Sequence, residues 1–294
     1  MDSSAQIFQY LLSGLANGAI YGLIGFGFAI IFNATGIINF AQGEFVMLGG
    51  MITVFLLHGC HLPLYFSVFL AVFLTLAIGI CFERLAISPL KDASPITIVI
   101  ITIGASILIR GLSMLIWGKD TYALPSFSGD AAINLKGATI MPQHLWIFGI
   151  TVVIIFFNRL FFYHTIYGKA MRACSVNPRA AGLVGINVKV MVLLSFAISS
   201  ALGALAGIII APITMTSYDV GIMLGLKGFC AAIIGGMGSG MGAVLGGLIL
   251  GILESLGAGM ISASYKDAIA FVVLLAILFF RPGGLLSRRE IERV

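Results

Sequence analysis

Apolar runs long enough to cross a bilayer recur along this chain, from Ile7–Phe32 through Leu64–Cys81 to Ala268–Phe280, with few charges among them. A helix needs about 20 apolar residues to traverse a hydrocarbon core of roughly 30 Å. Inside that core no water is at hand, so every backbone amide and carbonyl must bond internally; only helices and closed barrels satisfy this. A barrel would alternate apolar and polar residues in segments of about ten, and these runs do not alternate. Composition agrees: of 294 residues, 60% are hydrophobic and 9% charged, and the mean hydropathy is +1.13. The sequence reads as an all-α, polytopic membrane protein with about 8–10 transmembrane helices in one transmembrane domain, residues 1–294.

Several function classes are thereby excluded. The longest stretches without a membrane-grade run are Gly118–His144 and His164–Lys189, too short for an attached enzyme, receptor or ATPase domain. The net charge of +5 is spread over short loops, where it sets topology rather than forming a nucleic-acid stripe. Cys60, Cys81, Cys174 and Cys230 are isolated, so neither a metal site nor a disulfide framework is expected; His58 and His61 lack a carboxylate or thiolate cluster beside them. GSGMGA at Gly238–Ala243 matches a dinucleotide fingerprint only on paper, because it lies in membrane-grade sequence without a preceding strand. No P-loop occurs, and no Ser–His or His/Glu set sits within the spans, so the chain is read as neither an enzyme nor a cofactor carrier. The N-terminus, MDSSAQ, has no basic n-region and is expected to insert uncleaved.

Nine segments emerge: Ile7–Phe32, Phe40–Leu57, Leu64–Ile87, Ile96–Trp117, Leu145–Phe162, Val190–Ile213, Val220–Ile234, Met241–Ile261 and Ala268–Phe280. The second and seventh are interrupted by glycine and read as broken or re-entrant. Basic loops belong to the cytoplasm. That places Arg84, Lys91, Arg159, Lys169, Arg172, Arg179, Lys189 and the tail with Arg281, Arg288, Arg289 and Arg293 inside. In Gly118–His144, Lys119 and Lys136 are offset by Asp120 and Asp130, so this loop and the N-terminus belong outside. SGLANGAIYGLIG and SSALGALAG each precede a Gly-broken segment and two further spans. The chain therefore reads as two repeats of opposite polarity, residues 7–117 and 190–281, joined by a connector helix at 145–162 and a loop at 163–189, a pattern of transporters.

Glycines at i, i+4 spacing form ridges at Gly14, Gly18 and Gly22, at Gly203 and Gly207, and at Gly242/Gly246 and Gly247/Gly251, where helix backbones can approach closely. Ionisable residues within spans cost about 2.5–3.5 kcal/mol each on insertion scales and invite a functional reading. They are Glu44, Arg110, Lys227 and Glu254. Glu44 stands with Asn39 and Gln42 in NFAQGEF; these groups either line a polar pathway or bond backbone freed at the break. Glu254 is expected to pair with Arg110 or Lys227. No dense Asp/Glu/His relay supports proton coupling.

In the loop Thr165–Val188, Asn177 reads as an N-cap, Pro178 as the first helical residue, Arg179–Val184 as a short helix and Gly185 as its stop. Ala180, Ala181, Leu183 and Val184 give it a small apolar face suited to a partner's groove.

TGIINFAQGE, YGKAMRACSVNPRAAGLVGINV and IIGGMGSGMGAVLGG, in that order, resemble the permease subunits of ABC importers for branched-chain amino acids, which have relatives serving urea and short amides. The likeness runs from Gly14 to Leu285. It implies a pathway subunit in the bacterial inner membrane, paired with a second homologous permease, two ATP-binding subunits and an extracytoplasmic substrate-binding protein, working by alternating access with leucine, isoleucine and valine as cargo. It also implies a coupling helix over Asn177, Pro178, Arg179, Ala180, Ala181, Gly182, Leu183 and Gly185. A urea or amide permease of the same architecture and, more remotely, an ion-coupled secondary transporter stand as alternatives.

Overall fold

The computed structural model describes residues 3–90, 94–129, 131–135, 138–281 and 283–286. Lys91, Asp130, Lys136, Arg288, Arg289 and Arg293, used above for orientation, lie outside the described residues.

The chain is helical almost throughout. α1 (Ser3–Thr35) is followed by α2 (Gln42–Val54, continued by a π turn over Phe55–Gly59), α3 (Leu64–Phe82, continued by a π turn over Glu83–Ile87) and α4 (Pro95–Trp117). A short antiparallel hairpin, β1 (Ile133–Leu135) with β2 (Ala138–Ile140), precedes α5 (Pro142–His164). Two short helices follow, α6 (Ile166–Val176) and α7 (Pro178–Leu183). The chain ends with α8 (Val188–Thr214), α9 (Val220–Gly235), α10 (Gly240–Met260) and α11 (Lys266–Phe280).

Among the described residues seven helices are long and apolar enough to cross a membrane, and Val220–Gly235 is a shorter apolar helix. The two segments that fall short, α2 and α9, are the Gly-interrupted pair. Burial sorts the helices into layers: α1 and α8 are mostly enclosed and every residue of α2 is buried, whereas α3, α4, α5 and α11 expose most of their apolar surface. In hydrocarbon such exposure costs nothing, so Leu, Ile and Phe can cover the outside of this fold, while its centre packs large side chains such as Phe45 and Phe196 among close-set Gly, Ala and Ser.

The most extensive helix contact is α1 on α10, running antiparallel. A Cβ on Gly14 would sit 2.8 Å from the Gly251 carbonyl oxygen, one on Gly18 2.7 Å from the Cα of Leu248, and one on Gly22 3.0 Å from the Cα of Val244. The backbones themselves touch, so these glycines are required for close approach. A second seam joins α8 to α2, where Gly207 meets the backbone of Val46 and Gly49 meets that of Ala204. Helix starts are capped by side chains: Ser94 accepts from the Thr97 amide, Asn187 from Val190 and Ser239 from Gly242, each answering one of the free amides of a first turn.

Candidate functional site

α2 begins within the helix bundle, with its first turn buried. Gln42 Nε2 donates to the Ser199 carbonyl at 3.1 Å and Gln42 Oε1 accepts from Ser199 Oγ at 2.7 Å. Ser199 lies near the middle of α8, so the first turn of α2 starts about halfway along that helix. The strand of chain before it is held by Asn39, whose Oδ1 accepts from the Ala41 amide at 3.1 Å. The backbone of Gly43 in turn abuts Gly221, in the first turn of α9. Two short helices thus meet near their N-termini inside the bundle, where their amide dipoles favour negative charge.

Glu44 occupies that position. It is 1% exposed; its Oε1 accepts from Ser106 Oγ of α4 at 2.7 Å, and its Oε2 has no hydrogen-bond partner. Of the polar trio in NFAQGEF, Asn39 bonds backbone at the break and Gln42 pins α2 to α8, while Glu44 reaches a different helix. The sequence reading missed Ser106 and Ser199, because a lone serine in an apolar run looks like a small packing residue.

The second cluster lies between α1, α9, α10 and α11. Lys227 Nζ is 3.0 Å from Glu254 Oε1 and 2.6 Å from Asp267 Oδ1, and Lys266 Nζ is 3.4 Å from Glu254 Oε1. Tyr21 OH donates to the same Glu254 oxygen at 3.1 Å. The buried pair Lys227–Glu254 is neutral, as a low dielectric demands, and half-exposed Asp267 and Lys266 extend it toward the surface. Of the two expected partners Glu254 takes Lys227; Arg110 instead sits on α4 one turn from Ser106. Asp267 and Lys266 escaped notice because they stand at the edge of the last apolar run, where charges are ordinarily solvated.

α6 and α7 project from the bundle. Gly168 packs on the backbone of Phe161 and Phe162, folding α6 back on α5, and the Arg172 guanidinium lies 4.4 Å from the Tyr163 ring centre. Met171 and Cys174 face inward, and burial pushes the Cys174 thiol above its ordinary pKa. Asn177 Oδ1 accepts from the Ala180 amide at 3.0 Å. Pro178 opens α7 and Gly185 ends the motif at φ +90°. Leu183 is 90% exposed and Val184 77%; Arg179, Ala180 and Gly182 are exposed as well, whereas Ala181, expected on the same outward face, turns inward onto the core. Among the described residues no His/Cys/Asp/Glu group suited to a metal ion occurs.

A solved structure, PsaBC from Streptococcus pneumoniae in complex with Fab, superposes with a TM-score of 0.52 over 94% of this chain and 93% of that one, at 14% identity; the likeness is one of fold. The high-affinity branched-chain amino acid transport system permease protein BraD of Pseudomonas aeruginosa is 35% identical over 97% of each chain. The corresponding permease LivH of Escherichia coli is 33% identical over 97% of each. The autoinducer 2 import system permease LsrC of Escherichia coli is 30% identical over 62% of this chain and 54% of its own length. Residues 10–278 match the family described as the permease component of the branched-chain amino acid transport system. This chain is a multi-pass membrane protein and belongs to that permease family.

Proposed function

We propose that the chain lines one half of the pathway of an ATP-driven importer for leucine, isoleucine and valine, and that α7 receives the drive. The observation that carries the docking role is the apolar tip of α7: Leu183 and Val184 are left uncovered on a helix that is capped at both ends and anchored by Ala181. An uncovered apolar tip beside Arg179 and outside the spans suits a groove on a partner protein. The choice of cargo rests on relatives named for branched-chain amino acids that match over 97% of this chain.

In this reading the chain hydrolyses nothing itself. Two ATP-binding subunits sit beneath α6 and α7, a second permease completes the pathway, and a substrate-binding protein delivers cargo from the opposite side. The loop carrying α6 and α7 and the C-terminus beyond Arg281 face the cytoplasm; the β1–β2 hairpin faces outward. The meeting of α2 and α9 at their first turns supports two repeats of opposite polarity. Closure of the ATPase pair pushes α7, and ATP shifts the permease only in so far as it binds the two conformations unequally.

The test is a reconstituted importer with all its subunits in proteoliposomes. L183D and R179E are expected to remove stimulation of ATP hydrolysis by loaded binding protein, and leucine uptake with it, while the variants still insert and assemble. Normal coupled uptake in both would refute the docking role, and uptake by this chain with no companion would refute the importer reading altogether.

A further inference from the structure

Three charged side chains converge where α2 meets α9, and their signs are mixed. Glu44 Oε2 is buried and unpartnered, and a Cβ on Gly221 would lie 3.1 Å from it, which places this oxygen at the first turn of α9. Asp219, at the N-cap position of α9, is exposed and accepts from Ser217 Oγ at 2.6 Å. Arg110 follows Ser106 by one turn on α4, on the same face, and makes no ion pair among the described residues. Arg110 and Asp219 both lie near enough for their charges to act on Glu44.

An exposed aspartate and an arginine without an ion pair among the described residues do not belong against hydrocarbon, where each would be costly. They belong on a water-filled or protein-covered surface. Two carboxyl groups and one guanidinium carry a formal charge of minus one, beside helix N-termini that favour negative charge. Such a patch complements a group bearing an ammonium and a carboxylate a few ångströms apart.

We infer that Glu44 and Asp219 receive the α-ammonium group, and Arg110 the α-carboxylate, of an amino acid crossing the membrane. This inference rests on the importer reading above. Glu44 Oε2, the oxygen with a free lone pair, is the ammonium's acceptor, and Ser106 fixes the rotamer by holding Oε1. The arginine offers the planar pair of donors that a carboxylate fits. Recognition through only three charged side chains also suits transit, since a site in a pathway must release what it binds. Exposed Met215, Ile222 and Met223 beside Asp219 leave an apolar surface for a branched side chain.

The experiment compares wild type, E44Q, E44D and R110Q in the complete importer, measuring initial uptake of leucine and of urea together with ATP hydrolysis stimulated by loaded binding protein. Wild type is expected to take up leucine and not urea. E44Q and R110Q are expected to lower leucine uptake about tenfold, the scale of one charge-assisted contact, with stimulated hydrolysis within about twofold of wild type. E44D, which keeps the charge, is expected to recover a substantial share. Wild-type uptake in E44Q overturns the inference and leaves the importer reading standing. Uptake and hydrolysis falling in parallel in E44Q and E44D alike assigns Glu44 a structural role and also overturns it. Wild-type uptake of urea in place of leucine removes the cargo reading and the ammonium site together.

Discussion

The ammonium of Lys227 and the carboxylate of Glu254 lie 3.0 Å apart, with side chains only 6% and 1% exposed. Each is a buried charge, and its other partners, Asp267 for Lys227 and Lys266 for Glu254, are half-exposed. Removing one member of a buried pair leaves the other uncompensated, at a cost of about 3–5 kcal/mol. K227M is expected to lower the thermal unfolding midpoint in detergent sharply. K227M/E254M, which removes both charges, is expected to recover much of the loss. Equal midpoints for K227M and wild type would show that Asp267, Lys266 and Tyr21 suffice without the lysine.

The glycine seam between α1 and α10 gives a contrasting pair of variants. A Cβ at Gly18 meets backbone at 2.7 Å, which no rotamer change relieves, whereas one at Gly104 on α4 meets nothing within 4 Å. G18L is expected to abolish recovery of folded protein, because it forces the two backbones apart. G104A is expected to be neutral or to stabilise by about 0.5–1 kcal/mol, the usual gain over a mid-helix glycine. Size-exclusion profiles of the two detergent-solubilised variants decide this.

Asn177 caps α7 through its side-chain oxygen, a bond worth about 1 kcal/mol. N177A is expected to raise amide hydrogen exchange at Ala180 and Ala181 without changing exchange in α8. N177D keeps an acceptor and is expected to restore protection. Unchanged exchange in N177A would mean that Pro178 and the inward Ala181 hold the turn unaided.

The four cysteines separate by environment, Cys60 and Cys81 being exposed and Cys174 and Cys230 buried. An aqueous maleimide is expected to label Cys60 near neutral pH. Because burial holds the Cys174 thiol protonated, its labelling is expected to stay slow there and to rise only toward alkaline pH as the reactive thiolate appears. Mass spectrometry of peptides from the labelled protein at stepped pH reads both sites, and comparable rates at Cys60 and Cys174 near neutrality would show that α6 opens readily.

What was legible in the sequence follows from what the bilayer demands. Spans are forced by backbone hydrogen bonding over a fixed thickness, so Leu64–Ile87 and Pro142–His164 announce themselves. The Asn177–Pro178 start of α7 was equally readable, since a cap is local chemistry. Pairings at a distance were not. Gly14, Gly18 and Gly22 showed a surface made for contact, but nothing in their spacing named Gly247 and Gly251 as its complement. Glu254 could be matched to a cation only by knowing that Lys227 lies at the same depth. The β1–β2 hairpin carries no alternating pattern strong enough to stand out over so few residues. Glu44 drew attention as a costly charge, yet its tie to Ser106 depends on the tilt of α4, which composition does not encode.

The glycine contact between α1 and α10 also constrains how this molecule can move. Helices that meet through side chains can slide by trading one set of interdigitated contacts for another. Here there is nothing to trade, and any tilt would tear open an empty crevice along the whole join. These two long rods therefore form a fixed spine, and the same reasoning locks α9 to α10 through Gly246 and α2 to α8 through Gly207, so a transport cycle must move whole bundles rather than slide one helix along these joins.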